Sequence, residues 1–286
     1  MPRLVYVNGR LVPKEEAVVS VFDHGFLYGD GVFEGIRLYG RKVFRLEQHL
    51  RRLYAGAKVI RLKIPMTTEE MARAVQETVV ANGDLTDGYI RLVVTRGPGT
   101  LGLDPFKCSE PRVIIIVDTI IMYGAERYEK GLEVIIARTL RTPPESLDPG
   151  VKSLNYLNNI LARIECHDAG VPEAIMLNHK GCVAEATGDN VFVVRGGIVQ
   201  TPPLEAGCLD GITRQEVFDI CRAQGRRAEE TDLRLEDLFS ADECFLTGTA
   251  AEVIAVTHID GKLIADGRPG PVTETIRTEY LRRTRE

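Results

Sequence analysis

The sequence predicts two domains of mixed helix and strand, in the α+β or α/β class. The chain has 286 residues, which is enough for two domains at roughly 150 residues each. Its 44% hydrophobic and 27% charged residues are typical of a globular protein and exclude a disordered, collagenous or coiled-coil chain. Both halves mix strand and helix patterns without regular alternation, which favours α+β-type domains over a doubly wound sheet. We expect a small N-terminal α/β domain over 1–118, an interdomain loop over 119–131 and a larger C-terminal domain over 132–286.

The first half contains hairpin, helix and strand patterns in turn. Asn8-Gly9 between two apolar runs is a hairpin turn signal, and Thr67 followed by Glu70 is a capping box that starts a helix. Apolar residues recur at three- and four-residue spacing in the first helix pattern, which indicates one buried face. The predicted elements are hairpins over 4–12 and 36–44, helices over 46–60 and 67–83, and strands over 89–95 and 112–119.

The second half begins with a strand pattern and a loop rich in Thr, Pro and Ser. In the helix pattern that follows, the apolar residues Leu154, Leu157, Leu161 and Ile164 share one face. Pro271 is placed at the first turn of a terminal helix. The predicted elements are a strand over 132–137, the loop over 141–150, helices over 154–169, 212–223 and 235–239, strand and turn over 173–201, and strands over 243–246 and 253–256.

Charge, cysteine usage and missing motifs exclude several classes of function. With 36 Lys and Arg residues against 41 Asp and Glu residues, the net charge of −5 argues against a nucleic-acid-binding protein. No apolar stretch approaches the roughly 20 residues that span a bilayer, and the N-terminus lacks a signal-peptide pattern, so we expect no membrane partner. The five histidines include no pair at metal-ligand spacing, so we expect no metal. The six scattered cysteines indicate reduced thiols and a cytoplasmic location.

Few residues could act as an amine nucleophile, because nine of the 36 basic residues are lysines and the rest are arginines. Lys152 follows the Thr/Pro/Ser-rich loop and precedes an apolar helix pattern, where partial desolvation would make its amine usable. The alternative is an ordinary surface lysine. Glu185 stands among small residues in a strand-like stretch, where a buried carboxylate would need a cation or a donor. The alternative is an exposed glutamate at a strand edge.

Two segments could hold an anion. Residues 211–213 open a helix, whose N–H groups favour phosphate, and residues 247–251 form a turn of small and hydroxyl-bearing residues. Ordinary helix caps and turns look the same, so neither segment is specific alone. Arg52 lies off the apolar face of its helix, where it could supply positive charge or be a solvated surface arginine.

Aromatic residues near two strands are candidates for pocket walls. Residues 27–35 carry Tyr28 and Phe33 among glycines, which make a helix unfavourable and permit close approach to a ligand. Tyr89 and Arg91 are two residues apart on a predicted strand and so share one face. The alternative for the aromatic residues is core packing.

Six motifs in this order are much more specific than any one of them. They are Tyr-Gly-Asp-Gly-Val-Phe-Glu-Gly-Ile-Arg (28–37), His-Leu-Arg-Arg-Leu (49–53), Lys-Ser-Leu-Asn-Tyr (152–156), Glu-Ala-Thr-Gly-Asp-Asn-Val-Phe (185–192), Gly-Ile-Thr-Arg (211–214) and Gly-Thr-Ala-Ala-Glu (248–252). Over essentially the whole chain, this set resembles the fold-type IV pyridoxal-phosphate enzymes, and among them the branched-chain amino acid aminotransferases.

The resemblance implies pyridoxal 5'-phosphate as the cofactor, bound at the domain interface. Lys152 matches the lysine that binds the cofactor covalently and moves the proton, and Glu185 matches the carboxylate that pairs with the pyridine nitrogen. Arg52 matches the phosphate-binding arginine, and Tyr156 matches the tyrosine beside the phenolic oxygen. The rest of the phosphate site is matched by Gly211, Ile212, Thr213, Gly248 and Thr249. The substrate pocket is matched by Tyr28, Phe33, Gly35, Tyr89, Arg91, Thr249 and Ala250.

The resemblance also implies transamination of leucine, isoleucine and valine with 2-oxoglutarate, and a homodimer or higher homo-oligomer. Its small-molecule partners would be amino acids and 2-oxo acids. Lys-Ser-Leu-Asn (152–155) is also similar to the D-amino acid aminotransferases, and an aminodeoxychorismate lyase would share Lys152 and Glu185. Lys152 and Tyr156 are one residue closer than in many branched-chain enzymes.

Two further points bear on these alternatives. The chain has no tryptophan, so we expect Met122 and Tyr123 where some relatives place one over the pocket. The stretches 33–37 and 89–91 favour the branched-chain enzymes. A non-catalytic binding protein is a third hypothesis, against which the presence of Lys152 argues.

Overall fold

The computed structural model describes residues 3–120 and 122–286, and by its internal contacts the chain divides into two units. They comprise Met1–Ile120 with Val151–Asn155, and Ile121–Gly150 with Tyr156–Glu286.

The segment Val151–Asn155 is where this division differs from the one predicted, which assigns the segment and its lysine to the C-terminal domain. The physical reason is backbone pairing with a strand of the first unit. Ser153 forms a bridge with Val32, and the Phe33 N–H donates to the Lys152 carbonyl at 3.0 Å.

The first unit is an antiparallel sheet with two helices packed on it. Its elements are β1 (Leu4–Val7), β2 (Arg10–Pro13), α1 (His24–Tyr28), β3 (Gly31–Tyr39), β4 (Lys42–Val43), α2 (Leu46–Val59), α3 (Thr68–Ala81), β5 (Gly88–Thr95) and β6 (Arg112–Asp118). The strand order is β2-β1-β6-β5-β3-β4. Alternating strand residues such as Ile36, Ile90 and Ile115 are buried in one core with apolar residues of α2 and α3.

The second unit is a mixed sheet with helices against it. Its elements are α4 (Ala125–Lys130), β7 (Leu132–Ile136), α5 (Leu157–Ala169), β8 (Glu173–Leu177), β9 (Val183–Ala186), β10 (Asn190–Arg195), β11 (Ile198–Thr201), α6 (Ile212–Ala223), β12 (Ala228–Glu230), α7 (Leu235–Phe239), β13 (Glu243–Gly248), β14 (Glu252–Ile259), β15 (Lys262–Leu263) and α8 (Pro271–Arg283). The strand order is β12-β11-β10-β13-β14-β7-β8-β9, with β15 beside β14. In the described part of the chain, no helix has the length and apolarity needed to cross a membrane.

The strongest local signals in the sequence are confirmed. Asn8 and Gly9 have φ values of 49° and 89°, as the turn between β1 and β2 requires. Thr67 caps α3 by accepting a hydrogen bond from the Glu70 N–H at 3.2 Å, and the Glu70 carboxylate accepts one from the Thr67 N–H at 2.7 Å.

Three stretches differ from the sequence prediction. The glycine-rich stretch 27–35 contains the end of α1 and the start of β3, because the glycines lie at the helix end and along a crowded strand rather than inside a helix. The predicted interdomain loop contains α4. Helix α5 begins at Leu157 rather than at residue 154, because Leu154 pairs with Gly31 through its backbone N–H at 3.0 Å.

Candidate active site

One face of the first-unit sheet carries four of the predicted pocket residues. Phe33 and Gly35 alternate along β3, and Gly35 pairs with Arg91 of β5. The Arg91 guanidinium lies 4.6 Å from the Phe33 ring centre and 5.5 Å from that of Tyr89. A Cβ atom at Gly35 would collide with the Tyr89 hydroxyl, so only glycine lets this tyrosine lie across the strand. The structure therefore brings Phe33, Gly35, Tyr89 and Arg91 together.

The amine of Lys152 lies beside the same face. Its Nζ is 4.6 Å from the centre of the Phe33 ring. The backbone on both sides is held by β3, because the Lys152 carbonyl accepts from the Phe33 N–H and the Leu154 N–H donates to Gly31. A half-buried amine on a fixed backbone beside an aromatic ring is suited to react with a small ligand.

The opposite face of β3 carries a buried charged cluster. Glu34 is fully buried and accepts from Arg52 Nε and Nη2, each at 2.7 Å. The His49 Nδ1 donates to the same carboxylate at 2.8 Å. His49 and Arg52 are three residues apart on α2, so both reach the strand from one helix face.

Burial and these contacts shift two pKa values in the cluster. Burial would raise the pKa of Glu34, but the Arg52 and His49 contacts outweigh it and lower the pKa to about 2. Burial also lowers the pKa of His49, against the opposing effect of Glu34. The cluster is therefore an ionised glutamate, a charged arginine and a neutral histidine at pH 7.

Tyr28 lies on a different element from the other predicted pocket residues of the first unit. It ends α1, and its hydroxyl accepts from the Gly102 N–H at 3.1 Å. Its ring lies edge-on to His24 at 5.0 Å.

In the second unit, Glu185 lies on β9 and is buried, with 5% of its surface exposed. Its Oε1 accepts from Arg141 Nε at 2.7 Å, and its Oε2 accepts from the Leu209 N–H at 2.9 Å. The alternative of an exposed edge glutamate is therefore wrong. Tyr156 is half-buried and precedes the first turn of α5.

The two predicted anion-binding segments lie close to each other and to Glu185. Thr247 pairs with Asn190, whose Nδ2 donates to the Leu209 carbonyl at 2.8 Å. The Asn190 amide oxygen occupies the space that a Cβ at Gly211 would need. Gly248 ends β13, Thr249 and Ala250 begin the turn that leads to β14, and Gly211 caps α6, which begins at Ile212.

Both segments present groups suited to an anion. Helix α6 begins after Gly211 without a side-chain cap, so backbone N–H groups of its first turn point outward at the positive end of the helix. The Thr247 hydroxyl is buried and has no hydrogen-bond partner in residues 3–120 and 122–286. Ile212 and Thr213 are buried, whereas Gly248, Thr249 and Ala250 are half-exposed.

Sequence reasoning assigned no role to Glu34, His49 and Arg141. Glu34 and His49 stand inside motifs that the sequence singled out, and a glutamate flanked by apolar residues on a strand was a usable signal. Arg141 lies in the Thr/Pro/Ser-rich loop, where nothing local marks it. Across the described residues, no group of three His, Cys, Asp or Glu side chains is placed to hold a metal ion.

Comparison with known proteins gives one consistent family. The sequence model of the family described as amino-transferase class IV matches residues 31–259. A curated relative from Methanocaldococcus jannaschii, described as a branched-chain-amino-acid aminotransferase, is 48% identical over 276 residues, which covers 96% of this chain and 94% of the relative. The branched-chain-amino-acid aminotransferase of Escherichia coli is 35% identical, with 97% and 91% covered.

A solved structure gives the same result. The crystal structure of the branched-chain amino acid aminotransferase from Thermobaculum terrenum, in its PLP-form, matches this chain with a TM-score of 0.89 at 32% identity. The match covers 99% of this chain and 94% of that one. This chain therefore belongs to the class IV aminotransferase family of enzymes.

Proposed function

We propose that this chain is a pyridoxal-phosphate-dependent aminotransferase that transfers the amino group of L-leucine, L-isoleucine or L-valine to 2-oxoglutarate. The products are the branched 2-oxo acid and L-glutamate. Relatives named for branched-chain amino acids support the substrate class, and a solved relative in its PLP-form supports the cofactor. The observation that carries the proposal is the sheet face on which Phe33 and Tyr89 flank Arg91, with the Lys152 amine beside Phe33.

The donor groups fit a cofactor with a phosphate and a ring nitrogen. The partnerless Thr247 hydroxyl among the described residues and the uncapped start of α6 suit a phosphate, and the buried Glu185 carboxylate suits a protonated nitrogen. The residues proposed to hold the cofactor are Arg52, Lys152, Tyr156, Glu185, Gly211, Ile212, Thr213, Gly248 and Thr249. Those proposed to bind the substrate are Tyr28, Phe33, Gly35, Tyr89, Arg91, Thr249 and Ala250.

The proposed mechanism divides the work between cofactor and protein. Bound pyridoxal phosphate supplies an electron sink for the charge left when the substrate loses its α-proton. The Lys152 Nζ would take this proton from the α-carbon of the substrate as general base and would deliver it to the cofactor as general acid. Glu185 would hold the proton on the ring nitrogen, Tyr156 would bind the phenolic oxygen, and Arg52 would neutralise the phosphate.

The substrate pocket has to accept two unlike side chains. An apolar branched side chain loses water favourably against the rings of Phe33 and Tyr89. The second carboxylate of glutamate needs a cation, and the Arg91 guanidinium lies over both rings. One face can therefore serve both half-reactions.

A panel of amino donors tests the substrate class. The enzyme loaded with pyridoxal phosphate is given 2-oxoglutarate with L-leucine, L-isoleucine, L-valine or D-alanine in turn, and glutamate is measured. We expect glutamate from the three L-amino acids. Glutamate from D-alanine alone would instead assign the D-amino acid reaction, and pyruvate release from aminodeoxychorismate would assign the lyase.

Substitution of the lysine tests whether Lys152 is the catalytic group. Lys152→Ala should lose transamination and the covalent cofactor adduct that borohydride stabilises. Lys180→Ala removes an exposed lysine outside the site and should change neither. Unchanged activity in Lys152→Ala would favour another catalytic group over this mechanism.

The homo-oligomer and the cytoplasmic location are also part of the proposal. Helix α5 exposes an apolar stripe at helical spacing, with Leu157 at 66%, Ile160 at 51%, Leu161 at 46% and Ile164 at 51%. We expect a second copy of the chain to cover this stripe. The cysteines are free thiols throughout the described residues, which supports a reducing compartment.

Light scattering of the purified protein tests the oligomer. The wild type should have at least twice the mass of one chain, and Leu161→Glu should shift it toward one chain. Val80→Glu is the matched control, because Val80 is exposed on α3 at 77%, and it should leave the mass unchanged. A wild type with the mass of one chain would contradict the oligomer.

A further inference from the structure

Arg141 and Glu185 form a buried ion pair in the second unit. Their exposures are 8% and 5%, and the Arg141 Nε donates to Glu185 Oε1 at 2.7 Å. The second oxygen accepts from the Leu209 backbone N–H at 2.9 Å. Each carboxylate oxygen therefore has a protein donor, and the two donors together fix the orientation of the carboxylate.

The same guanidinium joins segments that are distant in sequence. Its Nη1 donates to Asn158 Oδ1 at 2.7 Å and to Asn159 Oδ1 at 3.3 Å, both in the first turn of α5. Asn158 in turn donates to the Leu140 carbonyl at 2.9 Å, and Asn159 donates to the Thr187 carbonyl at 2.8 Å. Arg141 therefore connects the loop after β7, the start of α5 and the end of β9.

We propose that Arg141 is a positioning residue, which holds the Glu185 carboxylate in one orientation toward the ring nitrogen of pyridoxal phosphate. This rests on the proposed function. A buried carboxylate that loses its cation either takes up a proton or moves toward solvent, because an isolated buried charge is costly. Either change would remove the negative charge that keeps the ring nitrogen protonated.

Both the charge and the shape of Arg141 matter for this role. A lysine keeps the charge but replaces the planar fork by one ammonium group, which cannot serve Glu185 and Asn158 in the same directions. Methionine keeps much of the length and removes the charge. Arg141→Lys should therefore be less impaired than Arg141→Met, and both should be impaired relative to the wild type.

The test compares two forms of the cofactor that differ only at the ring nitrogen. The apoproteins are titrated with pyridoxal phosphate and with its deaza analogue, in which C–H replaces the nitrogen. Arg141→Met should weaken the binding of pyridoxal phosphate about tenfold or more. Its affinity for the deaza analogue should stay within about twofold of the wild type, because that analogue cannot use Glu185. The visible band of the bound natural cofactor should also shift its pH midpoint.

Arg283→Met is the matched control in the same unit. It breaks the ion pair with the buried Glu216, at 3.5 Å, and should lower the free energy of unfolding without changing either cofactor affinity. Equal weakening of both cofactor forms by Arg141→Met, or no weakening, overturns the proposal. If that variant does not fold by circular dichroism, Arg141→Lys is judged by the same comparison. A wild type that binds no pyridoxal phosphate overturns the proposed function, and this inference with it.

Discussion

In each unit, a buried glutamate forms an ion pair with an arginine, and the two pairs have opposite proposed roles toward the cofactor. In the first unit, Glu34 supports Arg52, which is proposed to bind the phosphate. In the second unit, Arg141 supports Glu185, which is proposed to bind the ring nitrogen. An arginine and a glutamate can therefore present a cation to the cofactor when the arginine faces it, or an anion when the glutamate faces it.

The supporting contacts differ in a way that suits each charge. Glu34 accepts two hydrogen bonds from Arg52 and one from His49, so its negative charge is almost entirely compensated within the protein. Glu185 receives one guanidinium nitrogen and one backbone N–H. We infer that Glu34 mainly anchors Arg52, whereas Glu185 keeps negative charge for the ring nitrogen.

The largest expected effect comes from removing the negative charge of Glu185. Glu185→Gln keeps the shape but removes the charge, so kcat for L-leucine with 2-oxoglutarate should fall by about a thousandfold. Glu216→Gln changes a buried glutamate of the same unit outside the site and should retain most of kcat. A Glu185→Gln enzyme with near-normal kcat would remove the distinction between the two pairs.

Loss of the Glu34 charge should act mainly on the stability of the fold. Glu34→Gln leaves the half-buried Arg52 guanidinium without its ion-pair partner and should cost about 3 kcal/mol of unfolding free energy, measured in urea. Glu279→Gln is the comparison, because the solvent-screened ion pairs of Glu279 with Arg282 and Arg283 should contribute little. Equal costs for the two substitutions would contradict an anchoring role for Glu34.

The lowered pKa of Glu34 predicts a specific dependence of stability on pH. Because the pKa falls from 4.5 to about 2 on folding, its stabilisation is complete above pH 4.5 and is lost as the pH falls toward 2. The full contribution is on the order of 3 kcal/mol. His49, whose pKa is lowered by burial, adds a loss that begins below its ordinary value of 6.5. The unfolding free energy of Glu34→Gln should therefore fall less steeply than that of the wild type between pH 4.5 and 2.

A smaller effect is expected when a lysine replaces Arg52, because the positive charge is then kept. Arg52→Lys removes the fork that binds Glu34 but leaves a cation, so the dissociation constant for pyridoxal phosphate should rise about tenfold. The proportion of bound cofactor can be followed by its visible absorption. An unchanged dissociation constant would contradict the assignment of Arg52 to the phosphate.

The local elements of the fold could be predicted well from the sequence. The Asn8-Gly9 turn and the Thr67 capping box act within a few residues, so their patterns are visible in a short window. The exposed apolar stripe of α5 was not predictable in this way. Periodicity shows that Leu157, Leu161 and Ile164 share a face, but it does not show whether that face is buried within the chain.

The candidate site could be predicted only where its residues belong to motifs. Lys152 and Glu185 are predicted as members of an ordered set of motifs that resembles a family. Arg141 was missed because its partner is 44 residues away in sequence, and long-range ion pairs leave no local pattern. Glu34 received no predicted role, because its side chain lies on the opposite face of β3 from the proposed pocket residues beside it.

The opposite polarity of the two pairs is tested most directly by the affinities of apoproteins for pyridoxal phosphate and for pyridoxal, which lacks the phosphate. Arg52→Met should lose most of the preference for the phosphorylated form, because it lacks the cation that is proposed to bind the phosphate. Glu185→Gln should bind both forms more weakly and keep that preference. A preserved preference in Arg52→Met, or a lost one in Glu185→Gln, would contradict the assignment of phosphate and ring nitrogen to these two pairs.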